Sequence, residues 1–381
     1  MSILKAARLS RAPMAGLMGV GVFWGGFVAF IPDIKARVGA SDAELGIALM
    51  MAALGGIVAM SLGPRLVGRF GRHTMPTAAV VLAMAFSYPL IAGSVPALGL
   101  AVFGMGASMS FLDITANLRI TVLEERHRQH LMNLNHAMFS FAFALSALGT
   151  GLARKAGWGP GDLFPILAVI LLALGAAMIE GRDWQGAPPA PEGADHAGIW
   201  SAILPVAAIL FGAFVCENAT DSWSALHIER TLGGQAGDGG FGPMMLGLTM
   251  GFGRLSGQFA AQKLGEAGLI FWSAVVGVVG ALVIAAAPTP AIAMLGVGLL
   301  GLGIAVTVPS ANSILGKLVR PDQRGYAISR AWMIGFTGYF VGPMVMGQVS
   351  QIAGLRIAFC FIAVMMALIL PCVMALKRRQ L

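Results

Sequence analysis

Apolar residues run along this chain in blocks of roughly 20, the length that carries an α-helix across a bilayer core of about 30 Å. Polar and charged residues gather in the short breaks between blocks. The pattern predicts membrane helices near residues 13–31, 43–63, 75–92, 97–122, 131–152 and 162–180, then near 199–228, 241–262, 268–287, 290–318, 326–349 and 356–376. Between the two sets lies Gly181–Gly198, GRDWQGAPPAPEGADHAG, polar and rich in Pro and Gly, which reads as a solvated linker. The expected fold class is an all-α membrane protein of twelve transmembrane helices in two six-helix bundles, residues 1–180 and 199–381, joined by a cytoplasmic linker at 181–198.

Composition sharpens this. The 381 residues are 57% hydrophobic and 11% charged, against about 25% charged in a typical soluble domain, so a soluble enzyme is excluded. The 52 glycines and 23 methionines suit close helix packing in lipid. A net charge of +8 invites a nucleic-acid partner, but the cations sit in short turns between apolar runs, which is the positive-inside pattern. With the N-terminus inside, the cytoplasmic ends collect Lys5, Arg8, Arg11, Arg65, Arg69, Arg72, Arg119, Arg126, Arg128, Arg182, Arg254, Lys263 and the clusters Lys317–Arg324 and Lys377–Arg379. The outer ends hold Lys35, Arg37, Arg154, Lys155, Arg230 and Arg356. Both termini are therefore expected in the cytoplasm, in a bacterial-type inner membrane. Lys5, Arg8 and Arg11 precede the first apolar run without a small-residue cleavage site, so that run reads as a retained helix. Cys216, Cys360 and Cys372 lie in apolar runs without ligand spacing, and the six histidines show no metal-like pairing; no metal or cofactor is expected.

The halves repeat in parallel order. FGMGASMS at Phe103–Ser110 is echoed by LLGLGIAVT at Leu299–Thr307, and Arg128 and Gly55 recur with equal spacing as Arg324 and Gly251. Such repeats place a substrate near the midplane between bundles that rock to give alternating access. GVGLLG at Gly296–Gly301 fits a dinucleotide fingerprint, but it sits mid-span and reads as helix-packing glycine, as do Gly21/Gly25, Gly247/Gly251, Gly253/Gly257 and Gly338/Gly342.

Polar residues inside apolar spans carry the functional reading, because an intramembrane charge costs roughly 2.5–3.5 kcal/mol on insertion scales and turns toward protein or water. Asp113 and Asn117, four apart, share one face of the fourth span; Asn133, Asn135 and His136 open the fifth. In the seventh, Glu217 and Asp221 share a face with Ser224, and Asn218 adjoins them. Asp113 and Glu217 are the proton-coupling candidates. Asn117, His136, Asn218, Asn312, Arg330 and Trp332 are the substrate-binding candidates. Asp221, Trp223 and His227 fall near the predicted outer interface, where a Trp often anchors. For Arg330 two readings are open: a buried cation facing Asp113, Glu217 or an acidic substrate, or one that snorkels to the headgroups.

Two stretches resemble a known family. GPRLVGRFGRH at Gly63–His73 resembles the signature turn of the major facilitator superfamily: Arg69, Gly71 and Arg72 match its gating positions, with Gly68 where the family has Asp. GMGASMSFLDITANLRITVLEERHRQHLMNLNHAMFSF resembles the fourth and fifth helices of proton-coupled fucose permeases and a related bacterial branch. That resemblance implies a proton-coupling role for Asp113 and a substrate-facing place for His136. FWGGFVAFIPDIK lacks the permeases' first-helix acid, so sugar specificity is not implied. The expected function is a monomeric secondary transporter moving a small solute by alternating access, coupled to protons. The alternatives are an exporter of amphipathic compounds with a cavity of Met105, Met109, Phe139 and Phe143, and a lipid-handling or sensory membrane protein that moves no solute.

Overall fold

The protein is described here by a computed structural model covering residues 3–181, 198–320 and 323–380, and over these residues it is helical with no strand. The first six membrane-length helices are α1 (Arg11–Ala29), α2 (Asp42–Phe70), α3 (Thr74–Ala85, continued by Tyr88–Ile91), α4 (Val95–His127), α5 (Met132–Lys155) and α6 (Pro160–Ala177). Next comes α7 (Trp200–Leu226), whose end widens into a π-type turn at His227–Thr231. The continuous helix Phe241–Ala286 breaks at Gly265 (φ 69°, ψ 161°), giving α8 (241–264) and α9 (266–286). α10 is Pro290–Ala305 with Thr307–Leu318, and α11 begins as Arg324–Gly335. The helix Gly338–Gln380 breaks at Gly354 (φ 81°, ψ 164°), completing α11 (338–353) and giving α12 (355–380). Counted as continuous apolar helices these make ten candidate spans; α8 and the division of 324–377 at Gly354 bring the number to twelve. The expected helices are thus present. The expected linker lies outside the described residues except at Gly181 and Gly198.

Twelve crossings put both termini at one face of the bundle, here the terminal face; the opposite one is the distal face. Local sequence starts the helices that enter from the distal side. Ser41 and Glu44 form a capping box at α2, with Glu44 N–H donating to Ser41 Oγ at 3.2 Å and Ser41 N–H to Glu44 Oε2 at 2.8 Å. Ser94 and Thr289 cap α4 and α10, each followed by a proline in the first turn, where a missing N–H costs nothing.

Within each set of six, glycine brings backbones together. A Cβ on Gly25 of α1 would fall 2.3 Å from Phe143 O of α5, and one on Gly338 of α11 would fall 2.5 Å from Phe211 O of α7. Gly296 packs against Gly280 and Ile284 on α9, so GVGLLG is a helix contact. The two sets meet along α2 with α11 and α5 with α8. At the distal ends of both seams glycine faces glycine: Gly46 on Gly347, and Gly151 on Gly240. A Cβ on Gly46 would lie 2.7 Å from Pro343 O, and one on Gly151 2.7 Å from Gly237 O. Nothing larger than hydrogen fits there.

Candidate functional site

The polar residues of α4, α5, α7 and α8 converge where the two sets of helices meet. Asn117 donates from Nδ2 to the Asp113 carbonyl at 2.9 Å, one helical turn back, and its Oδ1 is 2.9 Å from His136 Nε2 on α5. His136 and Ser140, also one turn apart, turn the next contact toward the second half: Arg254 of α8 donates from Nη1 to Ser140 Oγ and, at 3.3 Å, to the His136 carbonyl. Its Nη2 faces Glu217 Oε1 of α7 at 3.4 Å. That is longer than the roughly 2.7–2.9 Å of a tight charged hydrogen bond, so the pair is loosely made. Asp113 lies within electrostatic reach of both Glu217 and Arg254. One turn beyond Glu217, Asp221 accepts from Trp24 Nε1 of α1 at 2.9 Å and from Ser222 Oγ at 3.0 Å, again linking the two halves. A cavity is lined by Phe139, Ser140, Phe143, Glu217, Asp221, Leu246, Gly247 and Met250. Glu217 pairs with the Arg254 guanidinium, Asp113 lies within its electrostatic reach, and Asp221 stands one turn beyond Glu217. Two carboxylates on one guanidinium with a third beside them favour uptake of positive charge.

Of the residues singled out in the sequence, Asp113, Asn117, His136 and Glu217 come together here. Asn218 does not reach Arg254; it donates to the Tyr339 carbonyl on α11 at 2.9 Å. Asn312 and Trp332 pair with each other, Trp332 Nε1 donating to Asn312 Oδ1 at 3.1 Å. They belong to a second, aromatic group, with Phe214 5.4 Å from Trp332 and stacked on Tyr339 at 4.8 Å. Arg330 rests half-buried over the Tyr326 ring at 5.0 Å and, among the described residues, pairs with neither Asp113 nor Glu217. Arg69, Gly71 and Arg72 sit at the terminal face, where Gly71 turns the chain out of α2 with φ 52°. Arg72 Nε donates to His73 there at 3.2 Å. Trp223 and His227 lie at the distal end of α7, near where the outer interface is expected, but both are 0% exposed inside the second bundle, so Trp223 is not a lipid-facing anchor.

Sequence reasoning missed Arg254 and Trp24. Arg254 was counted with the cytoplasmic cations because basic residues mark topology so strongly. It lies about 20 Å along α8, at 1.5 Å per residue from Phe241, with Gly253 and Gly257 beside it. Depth within the span was the available signal. Trp24 carried none: its partner lies 197 positions away.

At the distal face, ion networks close the seam between halves. Arg154 of α5, 6% exposed, is bridged to Asp33 and to Glu229, with Nη2 3.0 Å from Glu229 Oε2. Glu229 also accepts from the N–H groups of Gly237 and Gly239, at 3.1 and 3.0 Å. Asp42 at the start of α2 takes Arg230 and Ser350 from the second half and Lys35, at 3.3 Å, from the first. Lys155 pairs with Asp238.

The chain is 23% identical over 351 residues to an uncharacterized MFS-type transporter of Yersinia pestis, covering 91% of this chain and 90% of that one. It is 24% identical over 338 residues to the membrane protein MosC of Rhizobium meliloti, covering 87% and 81%. Among solved structures the nucleoside transporter NupG matches with TM-score 0.72 at 13% identity over 99% of both chains. A bacterial homologue of the human lysosomal transporter Spinster, inward-facing and occupied, matches with TM-score 0.72 at 15% identity, covering 99% and 98%. The family model of the Major Facilitator Superfamily matches residues 14–299 and 259–380, and the chain belongs to that superfamily of membrane transporters.

Proposed function

We propose that the protein is a secondary active transporter that moves a small solute by alternating access and couples its movement to protons through Asp113 and Glu217. Residues 1–180 and 199–381 are the two bodies that rock, joined by the linker at 181–198. The terminal face is cytoplasmic, in a bacterial inner membrane, and the distal face is external. The observation that carries the reading is the cluster around Arg254, where Asp113, Glu217, His136 and Ser140 from three other helices meet it between bundles that are pinned together at the distal face.

The mechanism follows from charge balance. With Asp113 and Glu217 against one guanidinium, and Asp221 a turn beyond Glu217, the closed site carries surplus negative charge, and occluding it away from water is costly. A proton on Asp113 or Glu217 removes one charge and lowers that cost, so movement of the solute site through its occluded form is tied to proton occupancy. Arg254 is suited to sense this, because its contact with Glu217 is long and it already bridges to α5. Phe139, Phe143, Leu246 and Met250 supply an apolar wall beside the carboxylates. That wall favours a second reading, export of an amphipathic compound, which uses the same residues in the opposite direction.

The test is Asp113→Asn in proteoliposomes. The expected result is loss of accumulation driven by a pH gradient, with solute counterflow at equal pH still measurable. Accumulation at the unsubstituted rate removes Asp113 from the coupling. Candidate solutes come from a thermal-shift screen of sugars, organic acids and amphipathic compounds on purified protein, and the polarity of the gradient that drives flux distinguishes uptake from export.

A further inference from the structure

Four buried polar atoms on α7 and its continuation have no hydrogen-bond partner among the described residues: Thr220 Oγ1, Trp223 Nε1, Ser224 Oγ and His227 Nδ1. Their residues are 0%, 0%, 1% and 0% exposed. An orphaned buried polar group costs about 1–3 kcal/mol, and most such groups are satisfied by protein or by ordered water. These four are not scattered. Positions 220, 223, 224 and 227 follow helical spacing and form one stripe. Glu217, three residues before Thr220, stands at its inner end, and the stripe runs about 15 Å from there toward the distal face at 1.5 Å per residue.

The chemistry of the stripe is complementary. His227 Nε2 faces the Ile284 carbonyl at 3.1 Å; a carbonyl only accepts, so Nε2 carries the hydrogen of the neutral ring and Nδ1 presents a lone pair. The Trp223 indole only donates, and the Thr220 and Ser224 hydroxyls do both. Residues three or four apart on a helix stand roughly 5–6 Å apart, about two hydrogen-bond lengths, so one water spans each gap. α8 passes Ser224 at Gly242, where a Cβ would come within 2.7 Å of the hydroxyl; the glycine leaves that side open to backbone alone.

We propose that this stripe holds a file of buried water molecules running from Glu217 to the distal side, and that it delivers protons to Glu217 while the distal ion pairs keep the solute path shut. The proposal rests on the reading of Glu217 as a proton-exchanging group. The charged groups facing the inner end are Arg254, Asp221 and Asp113; Arg230 and Arg356 face His227 at the outer end. A proton entering the file bonds to one water as that water releases another to its neighbour. The last transfer protonates the Glu217 carboxylate, and rotation of the hydroxyls resets the chain.

Two measurements test this. A high-resolution structure in lipid is expected to show water within about 3.2 Å of Thr220 Oγ1, Ser224 Oγ and His227 Nδ1. Well-ordered density for these side chains with no water beside them overturns the file, whether or not the protein transports. The second uses Thr220→Val with Ser224→Ala, which keeps shape and removes both hydroxyls. Proton flux coupled to solute is expected to fall at least about tenfold, since a positioned proton relay typically contributes roughly 10²–10⁴, while counterflow at equal pH stays within about twofold. Unchanged proton flux, or an equal fall in both, overturns proton delivery by the stripe. Absence of any proton-driven flux in the unsubstituted protein instead defeats the reading of Glu217 on which delivery rests, and the water positions alone then decide the file.

Discussion

The two faces of the bundle use charge in opposite ways. At the distal face the ion networks cross from one half to the other: Arg154 to Glu229, Asp42 to Arg230 and Ser350, Lys155 to Asp238. At the terminal face two ion pairs among the described residues join helices of one half. Arg119 of α4 meets Glu180 just past α6 at 2.7 Å, and Lys317 of α10 meets Glu266 at the start of α9 at 2.9 Å. Charges that join helices of one bundle let it move as a body; charges that join two bundles hold one arrangement of them. The same interaction is a brace at one end and a latch at the other.

The largest effect expected from breaking this contrast is at Arg154. Arg154→Gln strands Glu229 and Asp33. Losing one partner of a buried pair costs roughly 3–5 kcal/mol, reduced here because the Asp33 side chain is 42% exposed, and a few kcal/mol is enough to shift a two-state equilibrium substantially. Spin labels on cysteines replacing Gly93 and Gln235, in distal loops of opposite halves, are expected to move apart in this variant. An unchanged distance distribution means that Arg154 is no latch. A smaller change in the same distance, ideally none, is expected from Arg119→Gln, whose loss of the Glu180 contact, about 3 kcal/mol or more, falls within the first bundle. Its thermal midpoint drops; an opening of the distal face in this variant would erase the distinction between brace and latch.

The smallest effect is that of pH on the Lys155–Asp238 contact. The Lys155 ammonium, bonded to Asp238, holds that carboxyl below its ordinary value of 3.8, and the nearby Gln235 N–H acts in the same direction. A depressed carboxylate contributes fully above its unfolded value and loses that contribution as pH falls through the lower folded one. Between pH 8 and 5 the contact therefore stays intact, and the Gly93–Gln235 distance is expected not to respond through Asp238. In an Asp238→Asn variant any pH response of that distance should persist; its disappearance would contradict this assignment.

The helices were legible because lipid imposes their length and polarity on the sequence directly. Asp113, Asn117, His136 and Glu217 were legible for the related reason that a polar group in an apolar run must be turned inward. What joins them was not. Arg254 carries the same letter as a topology-setting arginine, and only its depth along α8 separates the two roles. Trp24 and Asp221 meet across 197 positions, a contact fixed by how the halves lean on each other and not by any local pattern. The breaks at Gly265 and Gly354 fall inside the gaps that the hydrophobic pattern leaves at 262–268 and 349–356, though the pattern does not say that one positive-φ glycine makes each turn.

Gly46 on Gly347 and Gly151 on Gly240 have a mechanical consequence. Side chains that interdigitate must change rotamer before they separate, and that adds a barrier to every cycle. Bare backbone has no teeth to disengage, so these two patches can part and touch again as smooth bearings, with the neighbouring charges alone setting how firmly they rest.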